Sequence, residues 1–458
     1  MRFTLLLALF CTLLQPARSQ DFKKDSATLK KISNHILQQY DCYTDLRYLC
    51  KQIGHRLSGS PQAEKAVQWG KSVFEKIGCD KVYLQEIMVP HWIRGEETAS
   101  IIVPGSKPVP LRISSLGNAV GTGEPGLKAP LVMVNHIDEL KRMSREEIEG
   151  KIVFFNYKFD QTNINTFESY GPCVYYRWGA PSEASKLGAS GVIIRSVSSA
   201  YDNKPHTGSM AYDPKYPSIP AVAISNLDAD DLEKICSEKK QVSVFMKTTC
   251  TMLPDVKSYN VVAEFTGSEN PDEIIVFGGH LDSWDIGEGA HDDGAGVVQA
   301  IEVMRTFKQL GIRPRRTIRA VLFMNEENGL RGGKKYAELA EQNHEHHIVA
   351  IESDAGGGIP LGFGMVMNNE LKEKVKSWKS LLEPYGIYNF SHEGGGADIG
   401  PLHRKLNVPM MELLPNSQRY FDVHHSDNDV FENVHRRELC LGAVGMTAMV
   451  YLLATYGL

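Results

Sequence analysis

From residue 260 onward the chain alternates short apolar runs with longer stretches whose apolar residues recur three and four apart. NVVAEFTG, EIIVFGGH, TIRAVLFMNEE and HHIVAIESDAG read as strands, because unbroken Val, Ile, Ala and Phe suit a strand buried on both faces. GAGVVQAIEVMRTFKQL, GGKKYAELAEQ and ELKEKVKSWKSLL read as the helices between them. Alternation of this kind predicts an α/β sheet covered by helices on both faces, with chemistry gathered beyond the carboxyl ends of its strands.

The upstream pattern differs. ATLKKISNHILQQY and PQAEKAVQWGKSVFEKIG have helical spacing within residues 22–79. From about residue 120, PLVMVNH, GKIVFFNY, SGVIIRS and IPAVAIS follow one another as short β-rich runs between loops of Gly, Pro, Asn and Asp. They predict a compact inserted module that ends near 240–250. Residues 439–458 carry no charge. Their length permits a membrane span, but the scattered small residues and the lack of a basic flank beyond them favour a buried terminal helix, with no membrane or lipid anchor. The opening MRFTLLLALFCTLLQPARSQ has the charged start, apolar run and small-x-small end of a secretory signal cut after Ser19, too short an apolar run for a span.

Composition adds limits. A chain of 458 residues has room for two or three domains, and a formal charge of −5 gives no footprint for nucleic acid. Of eight cysteines, Cys11 leaves with the signal. No CxxC pair is present, so a cysteine zinc site is not expected. Cys42 with Cys50 and Cys236 with Cys250 are near enough in sequence to form disulfides in an oxidising compartment. Asn389-Phe390-Ser391 is a glycosylation sequon.

The chemistry lies where the strands stop. EIIVFGGH ends in His280, followed by Asp282; the next helix opens on His291, Asp292 and Asp293. TIRAVLFMNEE ends in Glu326 and Glu327, HHIVAIESDAG carries Asp354, and YFDVHHSDND carries His424 and His425. Two adjacent carboxylates closing an apolar strand repel each other unless a proton or cation lies between them. Each residue alone has a plain reading as a helix cap, turn former or surface group. Delivered together to one sheet edge, they point to a cluster of metal ions. Imidazole and carboxylate suit zinc. His280 and Asp354 would serve one ion, Glu327 and one of His424 or His425 a second, with Asp292 between them. Glu326 is left as general base for an attacking water, and Asp282 as the partner that orients His280. There is no phosphate loop, since Gly356-Gly357-Gly358 lacks its lysine, and no HExxH pattern. Ser426 directly beside His425 makes a poor nucleophile–base pair.

GGHLDSWDIGEGAHDDGAG, FMNEENG, ESDAG and HHSDND resemble the two-zinc aminopeptidase and carboxypeptidase family, peptidase family M28. That resemblance implies a zinc exopeptidase fold, with a mixed central sheet and an inserted β-rich protease-associated domain marked by EGKIVFFNY and LGASGVIIR. It implies signal 1–19, propeptide 20–35, catalytic parts 36–115 and 255–458, and an insertion at 116–254. It implies two Zn2+ held by His280, Asp292, Glu327, Asp354 and His425, with Glu326 as base and Asp282 beside it. His425 is preferred to His424 because Asp429 follows it four positions on; Val430 stands where relatives have threonine. The segment Ser391–Asp398 departs from the relatives' SHGEGTD, which bears on specificity near the substrate. The family likeness further implies a secreted or lysosomal homodimer hydrolysing short unblocked peptides, chiefly dipeptides. A secreted zinc aminopeptidase is the alternative, and a non-enzymatic receptor-like protein, which would have lost ligands or base, is a second.

Overall fold

The computed structural model describes residues 21–239 and 241–458; the signal expected at 1–19 lies outside them. Helices Phe22–Gln39 and Pro61–Ile77 come first, then β1 (Lys81–Ile93). The chain next builds a second sheet from β2 (Glu97–Ile102), β3 (Val109–Leu111), β4 (Ile113–Ser115), β5 (Leu127–Val134), β6 (Ile152–Phe155), β7 (Gly191–Arg195), β8 (Ala221–Ile224) and β9 (Ser243–Thr248). It returns with β10 (Thr251–Phe265), β11 (Asn270–His280), β12 (Arg316–Phe323), β13 (His346–Glu352), β14 (Pro360–Val366) and β15 (Met410–Pro415).

The first sheet has the order β1-β10-β12-β11-β13-β15-β14. Its middle strands β12, β11, β13 and β15 run parallel, and β1, β10 and β14 add antiparallel edges. The fold is therefore α/β with a mixed central sheet. Parallel pairing needs crossovers, and the buried helix Ala295–Gln309 supplies the one between β11 and β12. The helix Arg436–Tyr456 is the one helix of the described residues long and apolar enough to cross a membrane, yet it packs on β12, β14 and β15 and against helices 22–39 and 295–309. Leu29, Ile32 and Ile36 of the first helix join this same core.

The second sheet has the order β3-β2-β9-β5-β6-β7-β8-β4, parallel through β5–β8. Helices Phe167–Trp178, Ala180–Lys186 and Asn226–Glu238 interleave with it, so this part of the chain is α/β where the sequence suggested mainly strand. It takes β2, β3 and β4 from before residue 116, so the sheet boundary falls at 97. Apolar periodicity cannot locate that boundary, because β3 and β4 are three-residue strands.

Neither expected disulfide is formed. Cys42 and Cys50 are both buried free thiols. The Cys42 sulfur instead faces Cys440 at 3.6 Å, across the contact with the terminal helix. Cys236 and Cys250 lie in different hydrophobic cores. Sequence proximity is a weak guide once helices turn neighbouring side chains apart. Asn389 is half-buried, its side-chain oxygen taken up by the Ser391 N–H and hydroxyl.

Candidate metal centre

β11 can end in an ordered histidine because glycine lets three segments close on it. A Cβ at Gly279 would lie 2.1 Å from Asp293 Oδ2, and one at Gly296 would lie 1.8 Å from the Ser353 carbonyl oxygen. Asp293, which the sequence placed beside Asp292 without a role in the centre, fastens this contact. Its Oδ2 accepts the His280 N–H at 3.0 Å and its Oδ1 the Gly296 N–H at 2.8 Å.

The His280 ring is oriented by the Asp282 backbone carbonyl, which accepts from Nδ1 at 2.9 Å. The Asp282 carboxylate, expected to hold this ring, is 4.0 Å from Nδ1. It instead accepts the backbone N–H groups of Asn325, Glu326 and Glu327 at 2.6, 3.1 and 3.3 Å. The loop after β12 is thus tied to the end of β11 by one buried carboxylate.

With Nδ1 occupied, His280 Nε2 faces Asp292 Oδ1 at 3.1 Å and Asp354 Oδ1 at 3.4 Å. Asp292 turns its other oxygen the opposite way. Oδ2 lies 3.0 Å from His425 Nε2 and 3.5 Å from His424 Nε2, and His425 Nε2 lies 3.2 Å from Glu327 Oε2. The approach to Oδ2 lacks the alignment of a hydrogen bond, and Asp292 Oδ2, Glu327 Oε1 and His424 Nδ1 are buried without partners. Two groups of ligand atoms able to hold an ion therefore share Asp292: His280–Asp292–Asp354 and Asp292–His424–His425. His424 stacks on His425 with ring centroids 3.6 Å apart, so the structure brings in the histidine that sequence set aside. Asp429 braces Asp292 rather than His425, accepting the His291 and Asp292 N–H groups at 2.7 and 3.1 Å.

The charges are those of a site built for cations. Burial would raise Asp292, but the His280 and His425 imidazoles beside it hold it well below the carboxylate range. Burial and then Asp292 push Glu327 up to about 7. Burial, with Asp354 and Glu327 adding to it, pushes Glu326 well above its usual value against the pull of His280. Burial would lower His425, yet Glu327 and Asp292 bring it up to about 8. Carboxylates that share protons with imidazoles in a dry site would each be relieved by a metal ion. With the unpartnered oxygens and the nitrogen and oxygen donor set, this fits zinc.

The cluster opens into a cavity of about 500 Å³ lined by Asp292, Glu326, Glu327 and Asp354 on the first-sheet side. The opposite wall is Asn118, Tyr170, Arg177 and Trp178, from the second sheet and its helices. Ser391–Asp398 does not line it. His392 and Glu393 face a neighbouring cavity, and the Asp398 and Ile399 N–H groups are bound by Glu352. Ser426 Oγ donates to the Val423 carbonyl at 2.8 Å and takes no part. Arg177 and Asn118 carried no sequence signal, since each reaches the site from far along the chain.

Residues 260–449 match the family described as Peptidase family M28, a span that contains the whole cluster. Carboxypeptidase Q from Homo sapiens is 34% identical over 442 residues, 95% of this chain and 91% of that protein. A crystal structure of a peptidase M28 precursor from Shewanella amazonensis superposes with a TM-score of 0.89 at 33% identity, covering 94% of this chain and 97% of the other. A zinc aminopeptidase from Bacillus subtilis has the same fold at 21% identity, with a TM-score of 0.65 over 90% of this chain and 94% of its own. Identity at this level along nearly the full length, with the strand-end cluster inside the matched span, makes the chain a member of peptidase family M28.

Proposed function

We propose that the chain is a zinc-dependent exopeptidase that hydrolyses short unblocked peptides, chiefly dipeptides, a reading supported by its likeness to carboxypeptidase Q. The observation that carries this reading is Asp292, whose two oxygens address two separate ligand groups. His280 and Asp354 would hold one zinc ion, Glu327 and His425 the other, and Asp292 would bridge them. His425 is favoured over His424 by its closer approach to Asp292 and its contact with Glu327. When bound, such a pair acidifies a shared water and polarises the scissile carbonyl.

The remaining work falls to side chains. Glu326 lines the cavity, and unlike Glu327, which meets His425 Nε2 at 3.2 Å, it pairs with no imidazole among the described residues. It is placed to take a proton from the attacking water and return it to the leaving nitrogen. Asp282 fixes its backbone, and so fixes where that proton is received. The cavity, about 500 Å³ and walled by the second-sheet module, suits a substrate of a few residues. That module would be the family's protease-associated insertion. The resemblance also supports an exported homodimer.

Metal content measured alongside hydrolysis of an unblocked dipeptide tests the reading. The expected result is close to two zinc ions per chain, activity lost to a chelator and restored by zinc, and Glu326→Gln retaining metal without turnover. A zinc-loaded, folded protein that hydrolyses no unblocked dipeptide would sink it.

A further inference from the structure

Arg177 is a cation buried without a counter-ion. It sits at the end of the helix Phe167–Trp178 and is 6% exposed. Its Nη2 donates to the Tyr170 hydroxyl at 2.9 Å, and Nη1 lies 3.1 Å from His425 Nδ1. Its Nε is buried with no partner, and among the described residues no carboxylate pairs with it. The guanidinium nevertheless has a place made for it. Gly208, with φ of 134°, has Arg177 Nε 2.5 Å from where a Cβ would stand. The group lines the same cavity as Glu326 and Glu327.

Two features make its present contacts provisional. His425 Nδ1 is also 3.2 Å from the Thr207 carbonyl, which can only accept. Once Nε2 serves as a ligand, Nδ1 must carry the ring proton, and that proton goes to Thr207. Arg177 Nη1 then faces a donor and loses its acceptor. The carboxylates of the centre would meanwhile be balanced by metal, which leaves Arg177 as an uncompensated charge in a dry site. An unpaired buried ion is costly, and a fork of free N–H groups matches a carboxylate.

We infer that Arg177 anchors the free α-carboxylate of the substrate, so that the enzyme reads the carboxyl end of a short peptide. This rests on the peptidase reading above. The rival anchor in the same cavity is Lys334, which is solvent-exposed and already donates to the Gly329 carbonyl at 3.0 Å.

The test compares alanyl-alanine with its carboxamide on zinc-loaded wild type, Arg177→Met, Arg177→Lys and Lys334→Met. Wild type should favour the free acid in kcat/KM by about 10²-fold, short of the roughly 10⁴–10⁵ of a polar site whose partner is missing altogether, because the carboxamide keeps one acceptor oxygen. Arg177→Met should cut that preference to below about tenfold, chiefly by raising KM for the acid, with carboxamide hydrolysis reduced far less than hydrolysis of the acid. Arg177→Lys, which keeps charge but not the fork, should fall between, and it is read in place of Arg177→Met if that variant does not fold. Equal losses on both substrates, or loss of the preference in Lys334→Met instead, would overturn the assignment. If wild type hydrolyses neither substrate, the peptidase reading fails, and calorimetric titration with N-acetylalanine and its amide still decides the anchor. Heat from the acid alone, absent in Arg177→Met, upholds it; equal binding of acid and amide refutes it.

Discussion

Asp282 holds Glu326 through the backbone: its Oδ1 accepts the Glu326 N–H at 3.1 Å and the Asn325 N–H at 2.6 Å, while Oδ2 takes Glu327 at 3.3 Å. Asp282→Asn keeps one acceptor oxygen and turns an amide donor against an N–H. The loop should then shift at whichever of the two acidic residues loses its bond. Both zinc affinity and turnover should fall about 10- to 100-fold, the range seen when a supporting group behind a metal site is removed. Chelator competition and steady-state kinetics on one preparation would check it; unaltered values for both would show that the clamp is dispensable.

Gly296 makes a sharper demand on stability. Gly296→Ala sets a methyl 1.8 Å from the Ser353 carbonyl oxygen and 2.5 Å from Asp293 Oδ2, neither of which is a flexible side-chain tip. The helix Ala295–Gln309 would have to move away from β13. The cost should exceed the roughly 1–3 kcal/mol of ordinary overpacking, visible as a lower melting temperature and lower bound zinc. A variant that melts with wild type would mean the helix is free to yield.

Much of the centre could be read along the chain because a parallel sheet sends successive strand ends to one edge. His280, Glu326, Glu327 and Asp354 each come within three residues of the end of an apolar run, so local pattern was enough to gather them. The supporting bonds were not legible in the same way. Asp282 and Asp429 act through backbone N–H groups whose positions depend on loop conformation, and no spacing rule specifies them. Arg177 arrives from a module threaded between β1 and β10, and Cys42 meets Cys440 across nearly the whole sequence. The boundary at 97 was hidden for a related reason, since β3 and β4 are too short to show a period.

His347 gives the fold a dependence on pH that does not involve the metal centre. It is buried beside the Arg319 guanidinium, with its Nε2 2.7 Å from the Tyr336 hydroxyl. Burial, and then Arg319, hold its pKa down to about 3. An unfolded histidine takes its proton near 6.5, whereas the folded one resists until about 3. Its contribution is therefore complete above about 6.5 and is lost as pH falls toward 3, by at most about 1.4 kcal/mol per pH unit. His347→Asn cannot titrate and can still accept from Tyr336. Its melting temperature should drop less than that of wild type between about pH 7 and about pH 5; parallel curves would rule out His347 as the source.

The first helix is the place where an expected processing event and the packing meet. A propeptide ending at residue 35 would carry away Asp25, Leu29 and Ile32. Asp25 is 1% exposed and accepts the hydroxyls of Tyr451 and Tyr456 at 2.9 and 2.7 Å, joining the start of the chain to its terminal helix. Leu29 and Ile32 lie in the main core. Removing those two apolar side chains from the core should cost about 3–6 kcal/mol. Asp25→Ala alone should cost about 1–3 kcal/mol, because two tyrosine hydroxyls lose their acceptor. Thermal melts of Asp25→Ala and of a protein lacking residues 20–35 would measure both. The truncated protein should melt well below the full chain, and the single variant between them. A truncated protein that melts with the full chain would establish the helix as a removable cover, and Asp25 would then be expected to show no effect either.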